Sequence, residues 1–139
     1  MERLTSATGY AYQRQFLERK YRNAETSSQL WDRKELKEST YPVGTIVTDH
    51  FEVIAHTPES VIVRCGDSPR IKEARASDGM FEMRAEVREE EGVAQFELKS
   101  VFYQGLGKAE GAPMPWHIEL LHRWYDKFLM ESAVRSLTR

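Results

Sequence analysis

The chain has 139 residues, 40% of them apolar, which is enough to bury one core, so we expect a single domain over residues 1–139. Its 20 basic and 22 acidic residues alternate and leave a net charge of −2, which argues against nucleic acid as a partner. A lone cysteine, Cys65, favours a cytoplasmic protein. No apolar run of the sequence approaches the roughly 20 residues of a membrane span, so no membrane partner is expected.

Residues 1–40 are predicted to be helical. The segment GYAYQRQFLERKYRNAE at residues 9–25 contains no proline and places four large apolar side chains near helical spacing, Tyr12, Phe16, Leu17 and Tyr21. Ser27 or Ser28 is expected to cap a second helix, QLWDRKELKES. That helix ends before Pro42, because the residue before a proline avoids the α region. We therefore expect two N-terminal helices.

From residue 44 to 104 the apolar period changes to two. TIVTDHFEVIAHT and SVIVRCGD, joined by a PE turn, predict one hairpin, and GMFEMRAEVREE and GVAQFELKSVFYQG, joined by the short EEEG, predict another. One face of the second hairpin collects mostly apolar side chains, Phe81, Met83, Phe96, Leu98, Ser100 and Phe102. Such alternation is typical of a curved antiparallel sheet, here of about four to six strands, with one buried and one wet face.

Residues 116–137 are predicted to form a long helix. At roughly 100° per residue, one stripe carries Ile118, Leu121, Tyr125, Phe128, Leu129 and Ser132, whereas Glu119, Arg123, Asp126 and Lys127 fall on the opposite side. The stripe is expected to pack across the inner face of the sheet, which makes the fold class α+β. A gap between this helix and a curved sheet would form a pocket for a small apolar metabolite.

Polar groups on this helix and in the loop after residue 65 are the candidate catalytic residues. His122 is the candidate general acid or base, Tyr125 the donor to a carbonyl, and Asp67, with Arg64, an orienting group. The candidate ligand-binding residues are expected to line the gap from both sides: Arg64, Phe81, Met83, Phe96, Leu98, Ser100, Phe102, Leu121, Phe128 and Ser132.

A structural interpretation stands beside each of these roles. His117 and His122 would then be partly exposed on the shoulder of the helix, and Tyr125 and Ser132 would be core residues whose hydroxyls bond to the backbone. Asp67 would cap a turn while the neighbouring arginines pair on the surface, which is the favoured interpretation of that loop. The four histidines lack the spacing of a metal site, so neither a metal nor another cofactor is expected.

Several motifs, together with the order of the elements, resemble the helix-grip superfamily, which includes START-like and polyketide cyclase-like domains. The motifs are YPVGT, FEVIAHTPESVIVRCGDSP, SDGMFEMRAEV and LHRWYDKFLMESAVRSL, and they are similar to an uncharacterised subgroup of that superfamily. The resemblance covers about residues 40–139. It implies a hydrophobic cavity under the last helix, which relatives use for lipids, polyketides or other apolar metabolites.

The resemblance favours an enzyme that cyclises, isomerises or dehydrates an apolar metabolite without a cofactor. A non-catalytic carrier or sensor of a lipid-like or polyketide-like molecule is the alternative, and a purely structural dimeric module is a third. Such domains usually begin with a strand, but no segment before residue 43 alternates convincingly, so one sheet edge is either open or covered by a partner. A homodimer is therefore expected.

Overall fold

The computed structural model describes residues 8–108 and 110–137, so residues 1–7 of the predicted helical region lie outside the described residues. The helices are α1 (Thr8–Tyr21), α2 (Arg33–Glu38) and α3 (Trp116–Leu137), and the strands are β1 (Ile46–Val47), β2 (Phe51–His56), β3 (Ser60–Cys65), β4 (Asp78–Arg88) and β5 (Val93–Tyr103). Short 3₁₀ turns occupy Ala24–Thr26 and Glu89–Glu91. The fold is α+β, as predicted, with a five-stranded antiparallel open sheet and a long C-terminal helix.

The second helix of the described chain begins later than predicted. Asp32, rather than Ser27 or Ser28, is the N-cap of α2. The preceding segment folds instead around Trp31, which is fully buried and whose indole N–H donates to the Thr26 carbonyl oxygen at 2.7 Å. The predicted cap is wrong, although the sequence carries a local signal for the true one: Asp32 is followed three residues later by Glu35, whose carboxylate accepts from the Asp32 N–H at 3.1 Å.

The first long β-rich run is interrupted between β1 and β2. Thr48 and Asp49 take left-handed backbone angles, with φ of 53° and 48°. Gln29 holds this kink, because its side-chain oxygen accepts from the Asp49 N–H at 2.6 Å and its side-chain nitrogen donates to the Asp49 carboxylate at 3.0 Å. Beyond the kink the strands follow one another in the order β1-β2-β3-β4-β5, and every neighbouring pair is antiparallel.

The hydrophobic core lies between the inner face of the sheet and the helices α1 and α3. Its buried members include Tyr10, Val53, Val61, Val63, Met83 and Leu129. Cys65, at the end of β3, is also buried. None of the helices in the described segments is both long enough and apolar enough to cross a membrane.

The last helix is rotated relative to the predicted stripe. Leu121 and Phe128, which were expected to face the sheet, are 63% and 48% exposed, whereas Asp126, expected in solvent, is partly buried. The side chains on the sheet side are Ile118, His122, Tyr125, Leu129 and Ala133. Polar groups are tolerated on this face because the space beneath the first half of α3 is an open cavity, so their desolvation is incomplete.

Candidate functional site

A cavity of about 370 Å³ lies between the first half of α3, the inner face of the sheet and α1. Most of its lining is apolar and includes Phe51, Phe81, Met83, Leu98, Phe102 and Leu129. Small-molecule sites typically have volumes of about 300–1,000 Å³ and a similar lining. Ser100, on the cavity wall, is exposed, so the cavity opens to solvent beside β5.

Asp126 contributes a carboxylate to the wall that α3 forms. The Ser100 hydroxyl donates a hydrogen bond to its Oδ2 at 3.3 Å. Burial raises the pKa of Asp126, and this outweighs the Ser100 hydrogen bond and the nearby His122, which both act to lower it. No lysine or arginine of the described residues forms an ion pair with this carboxylate.

His122 lies one turn before Asp126 and faces the same cavity. Its Nδ1 is 2.9 Å from the Ile118 carbonyl oxygen, which can only accept, so Nδ1 carries a proton. The ring packs edge-on against Phe102, with 5.0 Å between the ring centroids. In the neutral imidazole Nε2 is therefore the acceptor, and the backbone bond fixes the ring and its tautomer.

Tyr125 connects the cavity to α1. Its hydroxyl donates to the Gln13 side-chain oxygen at 2.6 Å, and both residues line the cavity. Burial raises the pKa of Tyr125 to about 12, so the hydroxyl keeps its proton at neutral pH. To donate that proton to a ligand oxygen, the hydroxyl must first break its hydrogen bond to Gln13.

Tyr10 and His50 add polar groups to the opposite wall. The Tyr10 hydroxyl lies 3.3 Å from the Thr48 hydroxyl, and burial raises the pKa of Tyr10. Burial lowers the pKa of His50, whose ring stands edge-on to Phe51 with 4.6 Å between centroids. Both side chains therefore favour their neutral forms, and this wall presents hydrogen-bonding groups without charge.

The sequence did not single out Asp126, Gln13, Tyr10 or His50 as site residues. Asp126 had a signal, because its spacing of four residues from His122 puts both side chains on one helix face. The other three had none, since they come from α1 and from the kink before β2, and only the tertiary fold brings them to α3.

Two of the predicted polar residues lie away from the cavity. Asp67 is exposed in the loop after β3, where its carboxylate accepts from the Ser68 N–H at 2.7 Å. Arg64 points to the other face of the sheet and bonds the Asp78 carboxylate through Nη2 at 2.5 Å and Nε at 3.0 Å. Neither residue lines the cavity with His122, so the orienting role expected of them is corrected. Arg64 is on the wrong face because successive residues of β3 point to opposite faces, and Asp67 lies in a loop that exposes it to solvent.

The other predicted ligand-binding residues divide into two groups. Phe81, Met83, Leu98, Ser100 and Phe102 line the cavity, as expected from the period of two. Phe96 instead lines a second cavity of about 290 Å³ near the C-terminal end of α3. Leu121, Phe128 and Ser132 line neither cavity, and their assignment is corrected, because the rotation of α3 turns them away from the sheet.

No three His, Cys, Asp or Glu side chains of residues 8–108 and 110–137 converge in a way that could hold a metal ion. Comparisons of the chain with protein-family models, with curated proteins and with solved structures found no match. The cavity and the polar wall of α3 are therefore the basis for assigning a function.

Proposed function

We propose that the protein binds a small, mostly apolar molecule with one polar end in the main cavity and moves a proton on it. In this proposal the sheet and α3 form a helix-grip arrangement. The reaction is a cofactor-free isomerisation, dehydration or cyclisation, each of which needs a proton to be removed and returned. One observation carries the proposal: His122, Tyr125 and Asp126 project from the same face of α3 into a cavity with a mostly apolar lining.

Asp126 is the proposed general base. A carboxylate that is partly withdrawn from water is a stronger base, and the pKa raised by burial moves its titration towards the working pH. Its only side-chain hydrogen bond among the described residues is the long one from Ser100, so a lone pair is left for the substrate proton.

His122 and Tyr125 are the proposed partners of the polar end. Nε2 of His122 accepts a hydrogen bond in the neutral ring and can return a proton when the ring is charged. The Tyr125 hydroxyl stabilises charge that develops on a carbonyl oxygen of the substrate, once Gln13 releases it.

A carrier is the second candidate, and the hydrogen bonds of the same residues favour it. Nδ1 of His122 is bonded to a helix carbonyl, not to a carboxylate that would stabilise its charged form, and the Tyr125 proton is already donated to Gln13. These bonds hold the wall rigid and suit a site that encloses a ligand without changing it.

Binding can be tested with N-phenyl-1-naphthylamine, a neutral apolar fluorophore. Leu98→Trp places a large ring in the cavity and should abolish saturable binding. The matched control Val101→Trp puts the same ring on the outer face of β5, where Val101 is 57% exposed, and should leave binding unchanged. Trp124→Gln removes an exposed apolar side chain of α3. If that variant abolishes binding and Leu98→Trp does not, the probe sits on the surface and the proposal fails.

Proton transfer can be tested with 5-nitrobenzisoxazole. A base removes the proton on its carbon 3, the N–O bond breaks, and a coloured phenolate is released. Asp126→Asn should slow this elimination by about 100-fold while fluorophore binding is retained. Asp67→Asn, the same change at an exposed carboxylate, should have no effect. An unchanged rate in Asp126→Asn would show that Asp126 is not the base, and the carrier would then be the proposed function.

A further inference from the structure

The outer edge of β5 is a long, unpaired sheet edge. β5 pairs with β4 through eleven consecutive residue pairs, Arg88 with Val93 through Asp78 with Tyr103, and no bulge interrupts them. No strand of the described residues pairs with the other side of β5. The opposite edge of the sheet is different, because β1 has only two residues and Leu30 bridges to Val47 beside it.

β5 lacks most of the features that discourage pairing with another strand. Exposed edges are usually protected by proline, by bulges, by very short strands or by charged side chains. The sequence VAQFELKSVFY has only the last of these, in Glu97 and Lys99, which form an ion pair with each other at 3.1 Å. The edge also displays apolar side chains: Val93, Phe96, Val101 and Tyr103 are 48%, 39%, 57% and 37% exposed. A regular strand of this kind is a template for a further strand.

The backbone groups of alternate β5 residues point towards this open edge. The Ala85 N–H donates to the Glu59 carbonyl oxygen at 2.8 Å, on the β3 side of β4. Because backbone groups alternate sides along a strand, Arg84 directs its groups to β5, and its partner Glu97 directs its own back. The residues that present N–H and C=O to the open edge are then Ala94, Phe96, Leu98, Ser100 and Phe102.

We propose that this edge binds a second copy of the chain, with the two β5 strands antiparallel about a two-fold axis at Leu98. The axis places Glu97 opposite Lys99 of the second copy and Lys99 opposite Glu97, on the outer face. Centring the pair on Glu97 or on Lys99 would oppose like charges, which is unfavourable. A shift by one residue would set the inner face of one copy against the outer face of the other. Of the possible registers, only the one centred on Leu98 sets Glu97 opposite Lys99, so charge complementarity favours that register.

The same register pairs apolar side chains and completes the open hydrogen bonds. Val93 lies opposite Tyr103 of the second copy, and Leu98 opposite Leu98, where the two residues exchange both backbone hydrogen bonds. One continuous sheet then runs through both copies, and the exposed edge disappears. This dimer does not depend on the proposed function, since the cavity is formed within one chain.

The dimer can be tested by reversing the charges of Glu97 and Lys99 and measuring self-association by sedimentation velocity. The wild-type protein should be a dimer at micromolar concentration. Glu97→Lys opposes lysines across the axis and Lys99→Glu opposes glutamates, so each variant alone should dimerise about tenfold more weakly or worse. An equimolar mixture of the two variants restores opposite charges and should recover the dimer. Glu90→Lys, the same charge change in the exposed β4–β5 turn, is the control and should remain dimeric.

Hydrogen exchange provides an independent readout on the folded protein. The Leu98 amide should be protected in the wild type, more strongly as concentration rises, and should lose this protection in Glu97→Lys while core amides of β3 keep theirs. A wild-type monomer at high concentration, or a dimer that neither single variant weakens, would overturn the proposal.

Discussion

Two polar clusters of the molecule contrast in how their charges are met. In the rim cluster, which consists of Asp49, Arg64, Arg70, Arg75 and Asp78, each carboxylate has a guanidinium partner: Asp78 bonds Arg64, and Asp49 bonds Arg70 at 3.1 Å. In the cavity wall, which consists of Ser100, His122, Tyr125 and Asp126, the carboxylate has a hydroxyl as its hydrogen-bond donor.

The contrast appears in the pKa values of two aspartates. The Arg64 hydrogen bond holds the pKa of Asp78 below its ordinary value even though the side chain is 3% exposed. Burial raises the pKa of Asp126, which has no such partner. A charge-rich segment is therefore not where reactivity concentrates, because pairing stabilises charge. An isolated carboxyl beside a cavity is the reactive one.

The largest expected effect is the loss of the Asp78 carboxylate. Asp78→Asn leaves Arg64 and the buried Arg75 without their anion, and we expect a loss of about 2–3 kcal/mol near pH 7, measured by urea unfolding. The pKa of Asp78 is lowered by folding, so its stabilisation is present above its unfolded pKa of about 3.9 and is lost as pH falls through the folded value. The difference between the proteins should therefore shrink on acidification.

Asp67→Asn is the matched control for this measurement, since Asp67 lies in the loop between β3 and β4 and is exposed. Its effect should stay within about 0.5 kcal/mol. Equal losses of stability in the two variants, or a loss in Asp78→Asn that does not change with pH, would mean that the ion pairs of Asp78 do not stabilise the fold.

The sheet was predictable from the sequence because side chains of a strand alternate between faces, and one buried face imposes a period of two. Phe81, Met83 and Leu98 were therefore placed correctly on the inner face. The kink at Thr48 and Asp49 was not predictable, because Gln29, twenty residues away from Asp49, holds it.

The orientation of α3 could not be read from its composition. The exposed side of the helix also carries large apolar side chains, so the predicted stripe took in Leu121 and Phe128 together with the buried Leu129. Which of them is buried depends on α1, which reaches the helix through Gln13 and Tyr125. The rotation also brings Asp126 to Ser100. Because the predicted orientation put Asp126 in solvent, the sequence analysis missed the proposed base.

A smaller effect, of opposite sign, is expected for Asp126→Asn. Burial raises the pKa of Asp126 in the folded state, so the folded state is penalised when the carboxyl ionises. The penalty is absent below about pH 3.9, where both states are protonated, and grows as pH rises through the folded pKa. The variant should therefore be more stable than the wild type near pH 7 and equal to it in acid, by urea unfolding at both pH values.

Glu131→Gln, which neutralises an exposed carboxylate of the same helix, should show no such pH-dependent gain. If Asp126→Asn is less stable than the wild type at neutral pH, the carboxylate is stabilised rather than strained, and the contrast with Asp78 disappears.

The smallest effect is expected for Ser100→Ala, which removes the hydroxyl that donates to Asp126 at 3.3 Å. That bond favours the ionised carboxyl, so its loss should raise the pKa of Asp126 further, measured by NMR titration of the Asp126 side-chain carboxyl carbon. Because a single long hydrogen bond is lost at an exposed side chain, stability should change by less than about 0.5 kcal/mol. Ser132→Ala is the control. It removes a hydroxyl that donates to the Phe128 carbonyl oxygen on the same helix, and it should leave the titration midpoint of Asp126 unchanged. An unchanged midpoint in Ser100→Ala would mean that water already solvates Asp126, and the carboxyl would then lack the desolvation that its proposed role as a base requires.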